Sequence, residues 1–210
     1  CFHNCTQGGF GARRHGRKTM KEYGLYIDGK WSPAKSGAHF ESRNPATGEI
    51  LGLFAKGSEE DVRSAVDAAQ GAFPGWAGFP APKRGEILLK VASIMRGRKD
   101  ELGEIVSREM GKVIAEGKGD VQEAIDFLEY IAGEGRRLQG ETTPSELPSK
   151  FAMTVRHPLG VVGCITPWNF PIAIPSWKIG AALITGNTIV FKPASLTPLC
   201  AVAFVEIFGE

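Results

Sequence analysis

Apolar positions recur along this chain with two different periods, and the switches between them divide it into three stretches. After Met20 the first signals are for strands. Tyr26-Ile27 and Lys30-Trp31 flank Asp28-Gly29, a dipeptide suited to the positive φ angles of a tight hairpin. His39–Arg43 and Ile50–Phe54 flank Asn44-Pro45-Ala46-Thr47-Gly48, a second turn-rich stretch, so the region reads as a small β element. From Ser58 the period becomes helical. Ser58 suits an N-cap and Asp61 completes a weak capping box, with Val62, Ala65, Val66 and Ala69 as one apolar stripe. Pro82 suits a first turn, and Ile87, Leu88, Val91, Ile94 and Met95 make the next stripe. Asp100 is expected to cap a third helix, with Leu102, Ile105, Val106 and Met110 inward and Gly111 as its stop. A fourth helix is expected from about Val113 to Arg137 through Val121, Ala124, Ile125, Leu128 and Ile131.

Beyond the helices the period shortens. In Lys150–His157, Phe151, Met153 and Val155 alternate with Ala152, Thr154 and Arg156, which predicts a strand with one buried face. Glu141–Ser149, with Pro144 and Pro148, reads as the link before it. Gly160–Thr166 is a short apolar run, as in a strand covered on both faces. Ile172–Thr185 reads as a helix stopped by Gly186-Asn187, and Thr188–Phe191 as another strand. Thr197 suits the cap of a last helix starting at Pro198, with Ala201, Phe204, Val205 and Phe208 inward. Strand, helix, strand, helix implies an α/β fold with a parallel sheet and a right-handed crossover.

In such sheets ligands sit beyond the C-terminal ends of the strands. One strand ends in Thr166-Pro167-Trp168-Asn169-Phe170-Pro171 and the other in Lys192-Pro193-Ala194-Ser195. Both polar clusters therefore fall on one edge, about 5 Å apart or one neighbour further. The spacing points to a cofactor crevice and not yet to a reaction.

Composition narrows the partners. The chain is 42% hydrophobic and 23% charged, close to the soluble globular average. Residues 1–19 hold four bases and no acid, which leaves 21 bases against 23 acids in 20–210. That near-neutral body gives no electrostatic footprint for nucleic acid or an anionic membrane. No run of about 18 apolar residues predicts a membrane span. The Arg-rich start reads as a targeting leader or, with its Gly-rich stretch, as vector-derived sequence before Met20. Cys1 and Cys5 with His3 between them lack a second ligand cluster, so no metal site is assigned. Cys164 and Cys200 sit singly in apolar surroundings, as reduced thiols of a cytoplasmic protein do.

Four motifs give this pattern a family. RNPATGE (43–49), REMGK (108–112), ITPWNFP (165–171) and TGNTIVFKPASLTP (185–198) occur in order, and over about Tyr23 to Glu210 the chain resembles the aldehyde dehydrogenase superfamily. The resemblance implies a partial doubly wound, Rossmann-like cofactor domain with an oligomerisation strand arm. With 1–19 outside the resemblance, as a leader or vector-derived segment, the expected division is 20–142 as the β and helical part of the cofactor domain, 143–157 as linker and arm, and 158–210 as the start of the cofactor-binding unit. It further implies NAD(P)-dependent oxidation of an aldehyde to a carboxylic acid through a cysteine thioester, in an enzyme that assembles as a dimer or tetramer. The chain is similar in overall look to semialdehyde and glyceraldehyde-type dehydrogenases.

Residue by residue, Asn169 matches the family's oxyanion-hole asparagine, a neutral donor that stabilises developing charge without titrating. The alternative for Asn169 is a turn residue bonded to its own backbone. Lys192 matches the lysine on the adenosine ribose. Ser195 stands where NAD-preferring members often carry Glu, so a 2′-phosphate meets no repulsion and NADP is expected to be accepted beside NAD. A solvated Lys192 and an ordinary loop serine are the plainer alternative. Ile165, Thr166, Pro167 and Trp168 are expected to line the cofactor, with core packing as the other role open to Trp168. Glu109 matches an acid near a monovalent-cation site in some members, and a helix-end surface acid is the simpler reading. Cys164 and Cys200 read as packing thiols, and His157 has no partner visible in sequence.

The nucleophilic cysteine, the general-base glutamate and the helix start under the pyrophosphate are not found up to Glu210. The expectation is thus a truncated chain that does not turn over aldehyde by itself. A non-catalytic module that self-associates is the rival from another class. An unrelated nucleotide-binding protein is disfavoured, because neither GxGxxG nor GxxxxGK[ST] occurs.

Overall fold

The computed structural model describes residues 20–210, so the expectations for 1–19, including the Cys1, His3 and Cys5 spacing, lie outside the described residues. The β-rich start folds as expected. Strands β2 (Leu25–Ile27) and β3 (Lys30–Ser32) form an antiparallel hairpin. Its turn holds Asp28 at φ 52° and Gly29 at φ 72°, both in the region an Asp-Gly pair tolerates. A three-stranded sheet runs in the order β1 (Glu22–Tyr23), β5 (Ile50–Ala55), β4 (His39–Arg43), with β4 antiparallel to β5.

Four helices follow: α1 (Glu59–Gly78), α2 (Ala81–Gly97), α3 (Lys99–Met110) and α4 (Ile114–Glu134). The capping box at Ser58 forms. The Asp61 N–H donates to Ser58 Oγ at 3.4 Å and the Ser58 N–H to Asp61 Oδ2 at 2.8 Å. The α1 stripe, however, is rotated from its expected position. Asp61 and Ala69 are buried while Val62 and Val66 are exposed. The helix docks through the line of residues 61, 65 and 69, because Asp61 also accepts from the Lys35 N–H and Thr188 Oγ1 donates to the Ala69 carbonyl. Polar bonds thus outrank two valines in choosing the docked face. On α3, Asp100 lies inside the first turn and pairs with Lys118 instead of capping the helix. Gly111 ends α3 at φ 92°, and a side chain there would also meet Pro45 of the first turn-rich motif.

The core lies between α2, α3, α4 and the last two helices, α5 (Ala173–Ile184) and α6 (Pro198–Ile207). Leu88, Met95, Leu102, Ile125, Leu128, Ile184 and Phe204 are fully buried there. Burying each such side chain contributes about 1.5–3 kcal/mol, which makes this cluster the main source of stability. Among the described residues no helix is long and apolar enough to cross a membrane.

Two expectations about strands change. The presumed link holds β6 (Thr142–Pro144), which pairs antiparallel with β7 (Phe151–Met153). Both faces of β7 are exposed, Phe151 and Met153 among them, because nothing in the described chain packs over this ribbon. Strands β8 (Val161–Ile165) and β9 (Thr188–Lys192) are parallel, as the crossover implied, and are direct neighbours, one of the two separations that the sequence left open. One face packs on the core along its length, whereas the other meets α1 at its Thr188 end and is open toward the C-terminal ends of the strands. Val162, Cys164, Ile189 and Phe191 pack on the core, while Gly163 and Ile165 look outward.

Candidate active site

The register of the parallel pair decides how close the two polar clusters lie. Ile165 is the partner of Lys192, and the Thr166 N–H donates to the Lys192 carbonyl at 3.3 Å. The strands are direct neighbours, so Thr166–Phe170 and Lys192–Ser195 leave the sheet side by side. Thr166 is buried and anchors the first loop. Ile165 is 72% exposed and Trp168 52%, so the ring is not core and the two present an apolar surface at the strand ends. Pro167, Asn169, Lys192 and Ser195 are exposed beside it. Lys192 makes no ion pair with any described residue, and the side chain of Asn169 makes no hydrogen bond within them. The turn alternative for Asn169, bonded to its own backbone, is therefore not what the structure adopts. No hydrogen bond joins Asn169 to Lys192 or Ser195.

Glu109 is neither at the surface nor free. It is 3% exposed and accepts from Ser42 Oγ at 2.6 Å, the Leu199 N–H at 2.8 Å and the Cys200 N–H at 2.7 Å. It therefore caps the N-terminus of α6 from a different helix, where Thr197 supplies no side-chain bond of its own. Burial raises its pKa even so, and the three donors oppose that rise. Through Ser42 the same carboxylate holds β4, so the loop of Lys192–Ser195 is fixed at its far end to the β-rich start.

Two further residues bear on the Asn169 loop, and neither was singled out in the sequence. Lys112, with its side chain only 8% exposed, donates from Nζ to the Asn169 carbonyl at 2.8 Å and sits 4.1 Å from the centre of the Phe170 ring. Its Nζ is also 3.8 Å from Asp120 Oδ2. Asp120, 1% exposed, accepts the Ala173 N–H on Oδ1 at 2.7 Å, at the start of α5. Its Oδ2 is buried without a hydrogen bond among the described residues. Burial pushes the Asp120 pKa up to about 6, against the Ala173 bond and the Lys112 charge that pull it down.

Cys164 and Cys200 are free and buried, and burial raises both pKa values, that of Cys200 strongly. No group of three or more potential metal ligands is present among the described residues.

Comparison with known proteins agrees with this arrangement. The sequence model of the aldehyde dehydrogenase family matches residues 31–210, and the chain belongs to that family. Over 186 residues it is 42% identical to the alpha-ketoglutaric semialdehyde dehydrogenase of Bacillus subtilis, an alignment covering 88% of this chain and 38% of the relative. Among solved structures, an NADP-dependent enzyme of Escherichia coli superposes with a TM-score of 0.85 at 40% identity, over 87% of this chain and 38% of that one. An NAD-dependent aldehyde dehydrogenase from Sinorhizobium meliloti gives a TM-score of 0.85 at 36% identity, over 89% and 38%. The fold is thus the α/β fold of aldehyde dehydrogenases, and the chain spans about 38% of the length of these relatives.

Proposed function

We propose that this chain supplies the oxyanion donor and one wall of the cofactor crevice of an NAD(P)-dependent enzyme that oxidises an aldehyde, with semialdehydes as the substrate class, to a carboxylic acid through a cysteine thioester. The observation that carries the reading is the pairing of Ile165 with Lys192, from which Asn169 and Ser195 follow on adjacent loops. The unengaged amide of Asn169 suits a role as donor to a carbonyl oxygen that becomes an anion as a thiolate adds. Lys192 and Ser195 suit a ribose or its 2′-phosphate, with exposed Ile165 and Trp168 as apolar wall and Thr166 and Pro167 shaping the turn. NAD(P), held by these residues, would supply the hydride acceptor. A water activated by a carboxylate then releases the acid. The nucleophile and that carboxylate are not assigned to any described residue, since Cys164, Cys200 and Glu109 are buried in structural roles.

In the enzyme that carries this chain, Asn169→Ala is expected to lower kcat by about 10²–10³ with the cofactor Kd unchanged. A variant with undiminished kcat contradicts the assignment. The 210 residues alone are expected to show no aldehyde-dependent NAD(P)H formation, and turnover abolished by Cys164→Ala overturns that. The β6–β7 ribbon, with Phe151 and Met153 exposed, suits an arm that pairs with a second copy in a dimer or tetramer.

A further inference from the structure

We propose that Lys112 and Asp120 form a clamp that sets the position of Asn169, so that Lys112 is a positioning residue for the oxyanion donor. The inference rests on the reading of Asn169 given above. Three observations carry it. First, the only hydrogen bond that Asn169 makes by its carbonyl to a side chain among the described residues comes from Lys112 Nζ, at 2.8 Å. An exposed loop residue whose side chain must stay unengaged can be held only through its backbone, and this bond does so. Second, the same ammonium lies 4.1 Å from the Phe170 ring centre, so one charge grips two consecutive residues of the loop. Third, the ammonium is buried and its nearby counter-charge is Asp120 Oδ2 at 3.8 Å, an oxygen with no other partner. Asp120 meanwhile binds the Ala173 N–H with Oδ1, so a single carboxylate faces the ammonium on one side and the helix that ends the loop on the other. Lys112 follows the turn at Gly111, and Asp120 lies on α4, so the clamp comes from two elements outside the loop.

The arrangement answers a physical problem. Thr166 fixes the start of the loop to β9, and α5 fixes its end. The residues between are exposed, and a donor displaced by about 1 Å can lose about 10²-fold in rate. A charged bond to the Asn169 carbonyl removes that freedom without using the amide needed for chemistry.

The test is made on the enzyme that carries this chain, by comparing Asn169→Ala, Lys112→Met, Lys112→Arg and the double variant Lys112→Met/Asn169→Ala. Lys112→Met is expected to lower kcat by about 10²-fold with the cofactor Kd unchanged, and Lys112→Arg, which keeps the charge and donors, to recover part of the loss. The double variant is expected to be no slower than Asn169→Ala alone, because a misplaced donor and a missing donor are the same defect. If Asn169→Ala is slow while Lys112→Met keeps its kcat, the clamp is overturned and the reading of Asn169 stands. If Asn169→Ala itself is fast, the underlying reading fails. Should Lys112→Met fail to fold, Asp120→Asn takes its place. That substitution keeps an acceptor for Ala173 and removes the counter-charge, and it is expected to lower kcat without lowering the melting temperature at pH 7. An additive double variant, or a kcat loss matched by lost folded protein in all variants, overturns the proposal.

Discussion

Asp120 carries its charge where water cannot reach it, with one oxygen unbonded and a lysine 3.8 Å away as its counter-charge. Burial is the main cost of ionising it and Glu123 on the same helix adds to it, while the Ala173 N–H, the Lys112 charge and the Ile172 N–H offset it. The consequence for stability has a definite sign. An acid whose pKa rises on folding, here from 3.8 to about 6, favours the folded state most when it is protonated. That contribution is fully present below pH 3.8 and is lost as pH rises through 6, by at most about 3 kcal/mol. Asp120→Asn should therefore gain on the native chain by up to that amount between pH 4 and pH 7, as read from urea unfolding at each pH. A difference that does not change with pH contradicts the assignment. Asp120 was legible in part. It lies four residues before Ala124 and eight before Leu128, on the buried stripe, where a charge signals a partner. The partner was not legible, because the link from Asp120 to Lys112 and Asn169 is spatial and has no fixed spacing in the chain.

At the scale of elements, helix ends are where sequence and structure part most often. Ser58 caps α1 with its own side chain, a local signal with a fixed spacing, and it was readable. Thr197 fits the same rule and does not cap, since Glu109 reaches in from α3 and takes two N–H groups at the start of α6. Glu109 stands seven residues after Leu102, on the inward stripe, so its burial follows from the helical period, but its targets do not. Glu109→Gln leaves one carbonyl for three donors and turns an NH₂ toward N–H or hydroxyl groups. A loss of about 1–3 kcal/mol is expected in urea unfolding. An unchanged midpoint would show that α6 needs no cap from α3. The α1 stripe failed for a related reason: apolar period alone picks Val62 and Val66, while the bonds of Asp61 to Lys35 and of Ala69 to Thr188 fix another face.

Across the whole molecule the larger pattern was legible because it rests on period and order. The change from helical to strand period marks β7, while its partner β6 lies in a stretch that reads as a link, and strand-helix-strand-helix order gives the parallel pair. Coverage of the sheet was not legible, since a run of apolar residues looks the same whether one face or two are packed. The result is an edge where Ile165, Trp168, Lys192 and Ser195 stand exposed together above a closed core. The motifs that define the family meet around that edge. Glu49 pairs with Arg108 at 3.6 Å, Gly111 abuts Pro45, and Lys112 bonds Asn169. The central claim is that this edge binds the adenosine end of NAD(P), and the ratio of NADP to NAD dissociation constants tests it most directly. Measured by calorimetry on the enzyme that carries this chain, Ser195→Glu is expected to weaken NADP by about tenfold or more, about 1.4 kcal/mol, through repulsion of the 2′-phosphate while NAD binding is kept. A ratio unchanged by that substitution would contradict the account.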